Sequence, residues 1–209
     1  MTLDDIFPPT NVTAVKNRAA DAELAECAAE VNGSIQRIQD LAGRETRASA
    51  RIRFPRGYLR EIGRWRFALG FVRSIKVRSM VADTLMLHDV QAWVLKRTDL
   101  SGHARDMLVK GTIGTLGGIA EALLIDATTP PMGRRQKIAS RVKRLEDELV
   151  LDSELCSDLS WLWDIRNRQH LHSLPTRDFD FYTLEDHPRA EATVARFVLA
   201  LQRSDGASG

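Results

Sequence analysis

Cysteine is almost absent from the chain: only Cys27 and Cys156 occur, far apart. Two such residues provide neither a disulfide framework nor a thiolate metal cluster, and they suit a reducing cytosol. A long apolar run is also missing. The longest weakly polar stretch, 111–125, has 15 residues and includes Glu121 and four glycines, whereas a bilayer span needs about 20 apolar residues. The opening MTLDDIFPPTN has acids and prolines where a secretory leader has basic and then apolar residues. A cytoplasmic protein without membrane attachment is therefore expected. Period-2 alternation does not persist anywhere, which argues against an amphipathic sheet. No carboxylate–histidine ligand set stands out, so neither a metal nor a cofactor is expected.

What remains is an ordinary globular composition. The 209 residues are 44% hydrophobic and 28% charged, enough to bury a sizeable core. Looseness is expected only in the first 20 or so residues and in 204–209.

The net charge of +2 hides an asymmetry. Segment 44–78 holds eleven basic residues, ten of them arginine, against Glu45 and Glu61. A polyanionic partner would account for that concentration; so would a solvated helix face or an interface with acidic helices. Arg56, Arg60 and Arg64 stand at i, i+4 and i+8, one row on a helix. With Arg66 they are the candidate nucleic-acid contacts.

Apolar spacing is helical nearly throughout. A first helix is expected over 20–48, with Leu24, Cys27, Val31, Ile35, Ile38 and Leu41 as its stripe. Helix resumes at 56–69, and 67–77 is ambiguous. Further helices are expected over 78–97, 103–126, 134–150, 153–172 and 188–203. His88 falls on a buried stripe and reads as a hydrogen-bonded core histidine. Gly111, Gly114 and Gly118 read as a smooth strip for close helix approach rather than a phosphate loop, because no strand precedes them. Leu149 joins the buried stripe of its helix, and Asp186 or His187 caps the last one. The fold class is all-α: an up-and-down helical bundle over 100–209, with 1–99 as an N-terminal helical extension or part of the same domain.

One segment has the residues for chemistry. In the 153–172 helix, Leu155, Leu159 and Leu162 form a core stripe that Arg166 and then His170 continue. At 100° per residue Arg166 and His170 lie about 40° apart. Arg168 and His172 form a second i, i+4 pair. Positive side chains also suit a helix C-terminus, which is the ordinary reading. The functional reading is RNA cleavage. Histidine moves protons near neutral pH, and arginine stabilises charge developing on a phosphate.

The string LWDIRNRQHLH, on the penultimate helix of a small bundle, resembles the motif of the HEPN superfamily (higher eukaryotes and prokaryotes nucleotide-binding). The resemblance covers roughly 100–203 and is strongest at Arg166-Asn167. It implies a four- or five-helix bundle with an arginine, a polar neighbour and a histidine separated from the arginine by four to six residues. His172, with five residues between, fits that spacing; His170, with three between, falls outside it but fits the helical geometry with Arg166. The commonest spacing would place the histidine at Leu171. The resemblance implies a metal-independent endoribonuclease of toxin or phage-defence type, acting as a homodimer on RNA. An antitoxin or a nucleotidyltransferase-like protein would be its partner. Arg166 would stabilise the phosphate, His170 or His172 would act as acid/base, Asn167 would position, and Glu121 and Arg168 would support. The alternative is a non-catalytic HEPN-like module that binds a nucleotide or a protein. A third reading, a helical DNA-binding regulator, rests on the basic segment.

Overall fold

The computed structural model describes residues 3–6, 18–55, 57–130, 132–133, 136–168 and 182–207. Among these the chain is all-α, with no strand. It divides into two compact units, Asn11–Gly57 and a larger one formed by Met1–Thr10 with Tyr58–Gly209.

The smaller unit contains α2 (Arg18–Ala42) and a short 3-10 turn at Ala48–Ala50. α2 stops earlier than expected because Gly43 takes a positive φ and its N–H caps the Gln39 carbonyl at 2.8 Å, a left-handed C-terminal cap that glycine adopts without strain. The stripe exists as a pattern, yet Leu24, Val31, Ile35 and Leu41 are exposed.

The larger unit is a helical bundle. It comprises α1 (Leu3–Ile6), α3 (Ile62–Ala68), α4 (Ile75–Arg97), α5 (Gly102–Thr128), α6 (Ile138–Asp147), α7 (Ser153–Asn167) and α8 (Asp186–Ala207). α5 is its axis and packs against α4, α6, α7 and α8. It is the one described helix long and apolar enough to cross a bilayer. Here that apolar surface faces the neighbouring helices: Val109, Ile113, Leu116, Ile119, Leu123 and Leu124 are buried. The hydrophobic core is continuous from Leu3 to Leu201.

Local chemistry sets the helix ends. Ser74 accepts from the Val77 N–H and starts α4, so the ambiguous 67–77 stretch ends in helix rather than strand. Asp126 of α5 accepts from the Arg73 and Ser74 N–H groups and fixes the preceding turn. Asp152 caps α7 by accepting from Leu155 N–H at 2.7 Å, a role suited to an aspartate at a helix N-terminus. Arg141 is wholly buried and donates to the Thr128 hydroxyl and the Gly133 carbonyl, tying α6 to the end of α5.

Several expectations change. Leu3 is buried and α1 packs on α8, so the extreme N-terminus is not uniformly loose. α4 lies along α5, and the larger unit runs from Tyr58 onward, in keeping with the alternative that residues before 100 join the bundle. α6 ends at Asp147, and Leu149 then takes a φ of 59° with 92% of its surface exposed. It belongs to the turn into α7, not to a buried stripe. α8 begins at Asp186, which puts His187 inside the helix rather than at its cap.

Candidate functional site

At Gly117 α5 lies close against α7. A Cβ there would stand 2.8 Å from the Arg166 Cβ and 3.1 Å from its Cγ, closer than packed carbons approach. Gly118 has nothing within 4 Å, and at Gly111 a Cβ would make ordinary contact at 3.8 Å. The glycine that permits close approach is thus a neighbour of the expected strip.

That approach places Arg166 against α5. One turn beyond Gly117, Glu121 reaches the guanidinium, with Oε2 3.0 Å from Nη2. Nη1 donates to Asn167 Oδ1 at 3.3 Å. The Trp163 ring lies under the guanidinium, 5.1 Å from Cζ, a cation–π distance. Arg166 keeps 32% of its side chain exposed and Glu121 25%. Leu155, Leu159 and Leu162 are buried, as the stripe predicts. The fold therefore brings Arg166, Asn167 and Glu121 together at one half-exposed helix end. Arg168 is exposed and terminates α7. His170 and His172 lie outside the described residues.

The guanidinium is held by a carboxylate and an amide at the negative end of α7, which favours its positive charge, and about a third of the side chain is open to solvent. An arginine so held presents its remaining N–H groups in a defined direction.

The basic row is not assembled. Arg56 lies outside the described residues. Arg60 precedes α3 and is buried, its Nη1 2.8 Å from Asp89 Oδ1, with Asp4 as a second partner. Its backbone N–H also donates to Asp89, and its guanidinium covers Trp65. α3 starts only at Ile62, so Arg60 and Arg64 do not share a helix. Arg64 and Arg66 are exposed on α3, and among the described candidates they remain open to an anionic partner.

A second polar group was not foreseen. His88 and Asp89 of α4 lie inside the bundle together with His187 and Glu191 of α8. His88 Nε2 is 3.3 Å from His187 Nε2 and 3.6 Å from Glu191 Oε1; His187 Nε2 is 3.8 Å from Glu191 Oε1. The two rings stack with centroids 5.5 Å apart. Burial, helped by the charges of His187, Lys96 and Arg60, pushes His88 down to about 3. Burial and Lys96 push His187 down to about 4. Both rings are thus neutral at pH 7. Burial raises Glu191 against the pull of Lys96 and Arg60. His88 is a core histidine as expected, but its companions stand 99 and more positions away. The one signal in the sequence was His187 and Glu191 at i, i+4.

The chain matches no protein-family model, no curated protein and no solved structure.

Proposed function

We propose that this protein is a cytoplasmic, RNA-binding HEPN-like bundle that acts as a metal-independent endoribonuclease of toxin or defence type. The observation that carries the reading is the Glu121–Arg166–Asn167 group, a guanidinium fixed at a half-exposed helix end immediately before the segment that contains His170 and His172. In this reading one of those histidines takes the proton from a ribose 2′-hydroxyl. The 2′-oxygen attacks the adjacent phosphorus, the bond to the 5′-oxygen breaks, and that oxygen is protonated. Arg166 stabilises the charge gathered on the phosphate, Asn167 positions the guanidinium, and Glu121 holds it from α5. A homodimer would set two such groups on one RNA groove. A nucleotidyltransferase-like protein or another antitoxin would restrain it.

The test is incubation of single-stranded RNA with the protein in excess chelator. Wild type should release fragments ending in 2′,3′-cyclic phosphate. Arg166→Ala and the His170→Ala/His172→Ala pair should lose at least about a hundredfold in rate. RNA binding without cleavage, equal in all three proteins, would replace the nuclease by a binding module. Cleavage that survives both sets of substitutions would remove this group from the chemistry.

A further inference from the structure

We propose that His88, His187 and Glu191 form a buried site for one divalent transition-metal ion of the Zn2+ kind, joining α4 to α8. This goes beyond the RNA reading and does not depend on it, because none of the three residues belongs to the Arg166 group.

Distances are the first argument. The three ligand atoms form a triangle with sides of 3.3, 3.6 and 3.8 Å. A point equidistant from its corners lies about 2.1 Å from each, which is the bond length of Zn2+ to imidazole nitrogen and carboxylate oxygen. The separations of the three donors therefore match those around a single ion. Hydrogen bonding accounts for the same convergence less well. Both imidazole–carboxylate separations exceed hydrogen-bond length, so Glu191 accepts a proton from neither ring. Among the described residues, the short contact within this group joins two ring nitrogens, and a neutral imidazole pair can place one proton there at most.

The donor set is the second argument. Two imidazole nitrogens and one carboxylate oxygen select borderline ions such as Zn2+ or Co2+, whereas Mg2+ and Ca2+ take oxygen ligands. Rigid elements supply all three donors. His187 and Glu191 lie one turn apart on α8, and His88 faces them from the middle of α4.

The surrounding charge is the third. Glu191 brings one negative charge to the ion. Arg60 is already engaged by Asp89 and Asp4. Lys96, on α4, is the cation nearest Glu191, 3.9 Å away with half its side chain exposed, so it can turn into solvent when an ion enters. The His88 side chain is only 2% exposed, and those of His187 and Glu191 are below a tenth. Such enclosure shields the ion from bulk solvent, and three protein donors leave a fourth position for a water molecule.

Tag-free full-length protein, stripped with chelator, should be titrated with Co2+ and followed by visible absorption. One equivalent should produce ligand-field bands that Zn2+ abolishes, and Zn2+ should raise the thermal midpoint in a concentration-dependent way. His187→Gln and Glu191→Gln should weaken Co2+ binding by about tenfold or more. A His103→Gln/His170→Gln/His172→Gln control should keep it. Absence of the bands in wild type overturns the proposal even if the α8 variants fail to fold. So does unchanged affinity in folded His187→Gln, or loss of the bands in the control. RNA cleavage is not read here, so this result stands apart from the nuclease test.

Discussion

The Arg166 and His88 groups each set basic side chains against a glutamate on one bundle, yet they differ in their access to water. At Arg166 an ion pair lies on the rim between α5 and α7, each partner partly exposed. At His88 the polar atoms are enclosed by α4, α8 and the segment before α3. Water screens the first pair, so it directs a side chain more than it stabilises the fold. The second is shielded, so every partner must be matched or its loss is costly. Exposure, not residue type, separates a group free to meet a ligand from one that organises the interior.

The largest expected effect tests the buried side. Asp89→Ala leaves Arg60 enclosed with only the half-exposed Asp4. Urea denaturation should show a loss of roughly 3 kcal/mol or more. A loss below 1 kcal/mol would mean that water reaches the pair, and the contrast would fail. Next comes the contact that seats Arg166. Gly117→Ala gains helix propensity of about 1 kcal/mol but forces a Cβ into Arg166, a strain of about 1–3 kcal/mol. It should be net destabilising, while Gly118→Ala, with open space around it, should stabilise by up to about 1 kcal/mol. Equal effects at the two positions would place the close approach elsewhere.

Arg166→Ala and Glu121→Ala should each shift stability by less than about 1 kcal/mol, because the pair is partly solvated. A double-mutant cycle measures their coupling. Coupling well above that figure would make the rim behave like the interior. The smallest change is expected on α2, where Val31→Ser and Leu41→Ser should move the thermal unfolding of the bundle by no more than about 0.5 kcal/mol. Both side chains are exposed, and a larger effect would show that this stripe is covered in solution.

The sequence made some of this readable and concealed the rest for physical reasons. Leu155, Leu159 and Leu162 announced the buried face of α7 because helical periodicity is local. Glu121 was placed near Arg166 by analogy, and the structure supplies the contact through Gly117, whose lack of a Cβ lets two helices close. Arg56, Arg60 and Arg64 looked like a basic row because spacing on an ideal helix was assumed. α3 begins after Arg60, and Asp89 draws that side chain inward. Leu149 counted as core by its type, yet it falls just after the end of α6, where the chain must reverse. The stripe on α2 is equally periodic and lies exposed, since periodicity says which face could be buried and not what buries it.

By itself the sequence determined the all-α class, most helix cores and the buried Leu155, Leu159 and Leu162 face of α7. All of these depend on residues within a few turns of one another. Tertiary structure alone decided that Arg60 is internal and that α5 is the axis of the bundle. It alone brought His88 from α4 beside His187 and Glu191 from α8. Packing sets such meetings, because burial energy depends on surfaces that join only when distant helices pack together.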